Sequence, residues 1–192
     1  MNRSFKIGET LGLLLRARPT AFLSGIVIWV ILSLLGMKLL KWKPEKAIAG
    51  GFLAMLIHYF SEWWHQFGHA QAAEQTGYPM SGMEFNGPIA TSVYPRNEGV
   101  LSAEVHIQRA IGGPIFSLML TIVSGLIAVT LRPLGGPALV LAYFSCLDNL
   151  LVFTIGALLP LGFTDGSTLL RWMGRRQSGR RVNIAGSSSL SL

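Results

Sequence analysis

Four long apolar stretches dominate this sequence and restrict what it can fold into. They cover about residues 21–40, 47–73, 110–131 and 137–161. A helix needs about 20 mostly apolar residues to cross a bilayer. Backbone polar groups have no water to bond in lipid, so an isolated spanning segment has to be helical. We therefore expect an all-α integral membrane protein with about four transmembrane helices.

Charged residues are scarce, and their positions agree with this expectation. Only 13% of the 192 residues are charged, whereas ordinary soluble domains carry roughly a quarter. A net charge of +7 can indicate nucleic-acid binding. Here the cations flank the apolar stretches, which is typical of contacts with lipid headgroups. Membrane lipid is the expected partner and nucleic acid is not. Cys146 is the only cysteine, which excludes an intramolecular disulfide framework.

The sequence divides into three parts. Residues 1–20 hold an apolar stretch too short for a cleavable signal, and we expect an interfacial segment. Residues 21–170 form the transmembrane domain. Within it, the polar stretch 74–108 is rich in Gly and Pro, which predicts a small membrane-associated β-hairpin or loop between the second and third spans. Residues 171–192 form a basic tail that we expect to be disordered.

The distribution of Lys and Arg predicts the orientation in the membrane. With four spans, the N-terminus, the loop between the second and third spans with the adjoining Arg109, and the C-terminal tail share one side and hold 11 Lys and Arg, against five on the other side. Cytoplasmic loops carry the excess of these residues. This favours an orientation with both termini inside the cell.

The second apolar stretch carries four ionisable residues on one face. At about 100° per residue, His58, Glu62, His65 and His69 fall within about 60° of arc. Ionisable groups inside a span are costly and usually mark a functional site. We call these four residues, together with Gln66, the polar stripe.

The pair His65 and His69 has the spacing of a metal-binding motif. Residues four apart lie one turn apart on one helix face, where two imidazoles can bind one zinc ion. Hydrogen bonds to neighbouring helices are the alternative explanation, which is weaker in lipid because several polar groups need partners there. A zinc site needs a third protein ligand. The acidic candidates within the membrane are Glu62, Asp148 and Asp165.

Several motifs in the same order resemble the site-2 protease family of intramembrane zinc metallopeptidases. HQFGHA at 65–70 resembles the family's HExGHA, and LLPLGFTDG at 158–166 resembles LPxxPLDG. GGP at 112–114 is similar to the start of GPxxN, and the segment beginning TGYP at 76–79 fits the family's hairpin. The resemblance covers about residues 45–170.

This resemblance implies a function and a site. One zinc ion per chain would be held by His65, His69 and Asp165. A zinc-bound water would hydrolyse peptide bonds in or near the transmembrane segment of another protein. The partner would be a transmembrane or juxtamembrane protein, and the location a membrane, with a prokaryotic cell membrane expected.

The chain departs from the family at the catalytic position. Gln66 stands where the family has the glutamate that moves the catalytic proton, and glutamine cannot do this. General acid–base catalysis is worth roughly 10²–10⁴-fold. The alternative is therefore a catalytically impaired, metal-binding pseudoprotease that acts as a membrane binding or regulatory protein. The two hypotheses are nearly balanced, and we name the peptidase first because the architecture is that of the peptidase class.

Other polar residues have open roles. Glu62 could be an extra ligand, a partner that orients a histidine, a substitute base, or a protonated acid paired with another helix. The second and last of these are favoured, with His58 as its partner. Ser117 replaces the asparagine of GPxxN, which in the family positions substrate. Asp148 and Asn149 could also position substrate or could join helices. A transporter is not excluded, although no inverted repeat is visible.

Overall fold

The computed structural model describes residues 4–187, with side chains through residue 176. These residues form five α-helices and four short strands. The strands are β1 Phe5–Thr10, β2 Leu13–Ala17, β3 Gly82–Asn86 and β4 Ile89–Val93. The helices are α1 Pro19–Lys38, α2 Pro44–Gln75, α3 Ala103–Leu131, α4 Gly136–Asp148, which continues as a π-helix over Asn149–Gly156, and α5 Asp165–Ser187.

Three helices in the described part of the chain are long and apolar enough to cross a membrane. They are Pro19–Lys38, Ala103–Leu131 and the continuous segment Gly136–Gly156. This agrees with the prediction of a membrane protein. Helix α2 is 32 residues long and packs against α1 and α3, but its polar stripe makes it less apolar than these three.

Small residues bring α2 close to both neighbouring helices. A Cβ atom added to Gly51 would lie 2.7 Å from the backbone nitrogen of Ser33 on α1. On the other side, a Cβ added to Gly68 would lie 2.7 Å from the Cβ of Phe116 on α3. Close approach through small residues is how transmembrane helices gain packing energy without a hydrophobic driving force. The α2–α3 crossing lies beside His65 and His69.

The expectation of an all-α protein is corrected by a four-stranded sheet in the order β1-β2-β3-β4. The predicted hairpin between α2 and α3 is present as the antiparallel pair β3 and β4. Strands β1 and β2, in the segment expected to be interfacial, were not predicted. They form an antiparallel pair, and β2 runs parallel to β3. Leu13 and Ala17 of β2 are buried with Met83 and Phe85 of β3.

Helix α5 starts at Asp165 and lies against α3. The Trp172 ring stacks on the His106 ring with centroids 3.9 Å apart, and Arg176 pairs with Glu104 at 3.1 Å. Part of the tail for which disorder was predicted therefore lies in this helix, which extends to Ser187. Residues 188–192 lie outside the described residues.

Candidate metal centre

Three side chains from distant parts of the sequence meet beside the α2–α3 crossing. The Nε2 atoms of His65 and His69 are 3.0 Å apart. Asp165 places Oδ2 3.3 Å from Nε2 of His65 and Oδ1 3.4 Å from Nε2 of His69. Within the described residues these three form a group whose ligand atoms all lie within 4.8 Å of one another. The structure thus brings together the trio that the sequence resemblance implied.

The separations of these atoms fit a tetrahedral zinc ion. Zinc binds imidazole nitrogen and carboxylate oxygen at about 2.0–2.1 Å, so neighbouring ligand atoms of a tetrahedron lie about 3.3–3.4 Å apart. The observed separations run from 3.0 to 3.4 Å. Two nitrogens and one oxygen, with a fourth position left for water, is also a ligand set of catalytic zinc sites.

Hydrogen bonds to the far side of each ring orient both imidazoles. Nδ1 of His69 lies 2.8 Å from the carbonyl oxygen of Arg109, which can only accept, and 3.3 Å from the amide nitrogen of Gly113, which can only donate. The shorter contact favours a proton on this nitrogen. Nδ1 of His65 lies 2.9 Å from the hydroxyl of Ser117, which can donate or accept. The Nε2 atoms of both rings face each other and the Asp165 carboxylate, and a positive charge among them, from a proton or a metal ion, would stabilise this arrangement.

A tight turn after the π-helix segment carries Asp165 to the histidines. The hydroxyl of Thr164 donates to the carbonyl of Leu159, and the amide of Gly162 donates to the hydroxyl of Ser167 at 2.6 Å. Burial by itself would raise the pKa of the Asp165 carboxyl, but the two imidazoles outweigh it when they carry a proton on the side of the carboxylate, because their hydrogen bonds and charge lower the pKa to about 2. Asp165 is therefore an anionic ligand at neutral pH.

Glycine at position 113 leaves the space that a metal would need. A Cβ added to Gly113 would lie 2.6 Å from Nε2 of His65 and still closer to Nε2 of His69. These separations are far below carbon–nitrogen van der Waals contact. Any larger residue at 113 would therefore intrude between the atoms that would hold the ion.

Gln66 is bonded to strand β4 and to Glu62. Its Nε2 donates to Oε1 of Glu62 and to the carbonyl oxygen of Ala90, both at 3.1 Å. Its Oε1 accepts from the hydroxyl of Ser92 at 2.7 Å. Oε1 of Glu62 also accepts from the amide of Ala90 at 2.7 Å. The described hydrogen bonds of Glu62 are therefore with Gln66 and β4 rather than with the histidines.

The remaining polar residues near the site join α2 to other elements. Nδ1 of His58 lies 3.2 Å from both carboxylate oxygens of Asp148, and its Nε2 lies 2.9 Å from the carbonyl oxygen of Pro88. The expected pairing of His58 with Glu62 is therefore replaced by a pairing with Asp148. Asn149 is fully buried and donates to the hydroxyl of Ser61 at 2.8 Å. These bonds favour the helix-joining role, and a substrate-positioning role for Asp148, Asn149 and Ser117 stays a prediction.

Arg109 is a residue of this site that the sequence analysis did not single out. Its side chain is buried and donates to Glu98 and to the carbonyl of Tyr78, while its own carbonyl holds His69. The guanidinium lies 4.1 Å from the centre of the Tyr94 ring. Burial raises the pKa of Tyr94, although Arg109 opposes this, so the ring stays neutral. The sequence signal that could have identified it is a single arginine at the seventh position of α3.

One solved structure similar to this chain is the Site-2 Protease from Methanocaldococcus jannaschii. The two share 16% identity and superpose with a TM-score of 0.62, over 91% of this chain and 73% of that chain. Comparison with protein-family models and with curated protein sequences finds no match. At this level of identity the similarity shows the fold. The chain therefore has a fold similar to that of a site-2 protease.

Proposed function

We propose that this chain is a site-2-protease-like intramembrane zinc metallopeptidase, in which His65, His69 and Asp165 hold one zinc ion. The observation that carries the proposal is the geometry of these three residues. Their ligand atoms lie 3.0 to 3.4 Å apart, and the proton on the far side of the His69 ring leaves its Nε2 free to bind. A shared fold with a site-2 protease supports it.

The chain's own residues would prepare the site for peptide hydrolysis. A bound zinc ion supplies Lewis acidity and lowers the pKa of water to about 7. Ser117 and the Arg109 carbonyl hold the imidazoles in place. Gly113 keeps the space between them open. Both histidines are buried, which strengthens every electrostatic interaction in the site.

A specific observation supports the second candidate, a metal-binding pseudoprotease. Each polar atom of the Gln66 amide already has a hydrogen-bond partner on Glu62 or β4. An amide held in this way cannot accept the proton that the family's glutamate takes. In this case the zinc site and fold would serve binding or regulation of another membrane protein.

We further propose that α2 is a fourth membrane span. Its polar stripe faces α3, α4 and the sheet through hydrogen bonds, so lipid would meet its apolar side. With four spans, the excess of Lys and Arg favours both termini inside a prokaryotic cell. The client would be a protein with a transmembrane or juxtamembrane segment.

Zinc content of the purified chain tests the site. We expect about one zinc per chain, and loss of it in His65→Ala, His69→Ala and Asp165→Ala. His106→Ala is the matched control, because His106 stacks on Trp172 away from the trio. Stoichiometric zinc that survives all three ligand changes would overturn the proposal.

Cleavage of a synthetic single-span substrate in liposomes separates the two candidates. Cleavage by the native chain that is lost on chelation and in Asp165→Ala identifies a peptidase. Stoichiometric zinc without cleavage, under conditions where an active site-2 protease cleaves the same substrate, identifies the pseudoprotease.

A further inference from the structure

We propose that His58, Glu62 and Gln66 form a latch that holds the outer edge of β4 against α2 and closes that edge to any other extended chain. We call these three side chains the edge latch. The polar stripe then has two uses, since His65 and His69 face the metal centre while the other three residues bind a strand. The closing of the edge to a client rests on the proposed function, whereas the contacts with β4 do not.

The spacing of the latch on α2 matches the spacing of the strand. Residues four apart in a helix are separated by about 6 Å along its axis, and alternate residues of a strand by about 6.4–6.8 Å. His58 bonds the carbonyl of Pro88. One turn later Glu62 accepts the amide of Ala90. After another turn, Gln66 bonds the carbonyl of Ala90 and the hydroxyl of Ser92.

The backbone groups of β4 that the edge latch bonds lie on the open edge of the sheet. Strand β4 ends the order β1-β2-β3-β4, so within residues 4–187 one of its edges has no neighbouring strand. Ala90 pairs with Phe85 of β3, yet both its amide and its carbonyl bond α2. In an antiparallel pair, alternate residues direct these groups away from the neighbouring strand. Such an edge is where an extended peptide adds to a sheet.

The surroundings of Gln66 require an amide. Its Nε2 faces two acceptors, the Glu62 carboxylate and the Ala90 carbonyl, and its Oε1 faces a donor, the Ser92 hydroxyl. A carboxylate at this position would stand beside the Glu62 carboxylate and the Ala90 carbonyl oxygen, and it would lack the N–H donors that Gln66 gives to both. The residue that cannot serve as a base is therefore the one that fits the latch.

The latch also governs how an extended client could approach the metal centre. Gln66 lies between the ligands His65 and His69 in the sequence, so β4 is held against the same helical turn. A client strand added to β4 must take the bonds that Ala90 now makes with Glu62 and Gln66. The chain's own segment 88–92 occupies this face of α2. A client strand can therefore pair with β4 only when the edge latch opens.

Hydrogen exchange of the full chain in lipid nanodiscs tests the latch. Glu62→Leu removes the acceptor for the Ala90 amide, while Glu62→Gln is the matched control that keeps an acceptor oxygen of the same size. Loss of a buried hydrogen-bond partner should raise exchange of the β4 amides about tenfold in Glu62→Leu. Glu62→Gln should stay near the native rate. Ser92→Ala removes only one hydroxyl and should give a smaller increase, which keeps the test available if Glu62→Leu does not fold.

Photo-crosslinking tests the closing of the edge. The probe is a synthetic single-span peptide whose extended juxtamembrane segment carries a benzophenone. We expect the yield of crosslinks to residues 88–93 to rise severalfold in Glu62→Leu or Ser92→Ala and to stay low in Glu62→Gln. Native exchange rates in both opening variants would refute the latch, and faster exchange without more crosslinking would refute the closing of the edge. Zinc content is measured on the same samples, so a native chain without zinc would refute the proposed function while the exchange rates still decide the latch.

Discussion

The hydroxyl of Ser117 should control how tightly the centre binds zinc. It is fully buried and lies 2.9 Å from Nδ1 of His65. Ser117→Ala would leave Nδ1 of that ring without its hydrogen-bond partner and the ring free to turn. Loss of such a supporting bond typically lowers metal affinity about 10–100-fold, which corresponds to about 1.4–2.7 kcal/mol.

Ser124 provides a matched control on the same helix. It lies seven residues after Ser117, is also buried, and its hydroxyl donates to the carbonyls of Leu120 and Thr121 within α3. Ser124→Ala therefore removes a buried hydroxyl of the same size without touching a metal ligand. Its zinc affinity should equal that of the native chain.

The assay is competition for zinc with a chromophoric chelator of known affinity, with the protein in detergent micelles. We expect the dissociation constant to rise by one to two decades in Ser117→Ala only. Equal affinities in Ser117→Ala and Ser124→Ala would refute the argument that this hydroxyl orients His65.

Two further substitutions test the centre. Gly113→Ala should abolish zinc binding, because its methyl group would lie 2.6 Å from Nε2 of His65. Gly125→Ala on the same helix should bind zinc normally, because its Cβ would meet Cys146 at an ordinary 3.5 Å. The measurement is zinc content, and a fully loaded Gly113→Ala would disprove the placement of zinc between the histidines. Gln66→Glu alone should lose about 1.5–3 kcal/mol of hydrogen bonding to β4 and should raise the hydrogen exchange of the β4 amides. The double variant Glu62→Gln/Gln66→Glu swaps the two side chains, restores an amide–carboxylate pair and should lower that exchange again. Identical exchange rates in the single and double variants would contradict this.

The residues of the candidate metal centre could be predicted because most of their sequence signals are local. His65 and His69 lie one turn apart on one helix, a relation that sequence spacing gives directly. Asp165 required the resemblance of the TDG segment to a family motif, since spacing alone left three acidic candidates. The structure brings this carboxylate to the histidines through the turn at residues 159–164.

The sheet and the latch could not be predicted because they depend on contacts between distant segments. Strand β2 pairs with β3 68 residues later, as in Leu15 opposite Met83, and an apolar stretch of five residues does not reveal such a partner. His58 pairs with Asp148, which lies 90 positions later in the sequence. The latch joins side chains to backbone groups, and a strand's backbone carries no sequence signal.

The substitution at position 66 is the point where these two kinds of information combine. From sequence, glutamine for glutamate reads as the loss of a proton-transfer group. In the structure the same amide supplies a donor that a carboxylate lacks, and it uses that donor on Glu62 and Ala90. A residue that had merely lost its function would have no need of three matched partners. The nearby carboxylate is that of Glu62, one turn earlier, and its described bonds go to Gln66 and to a strand rather than to His65 or His69. If the edge latch and the proposed peptidase are both correct, an extended client can add to β4 only after β4 is released from α2.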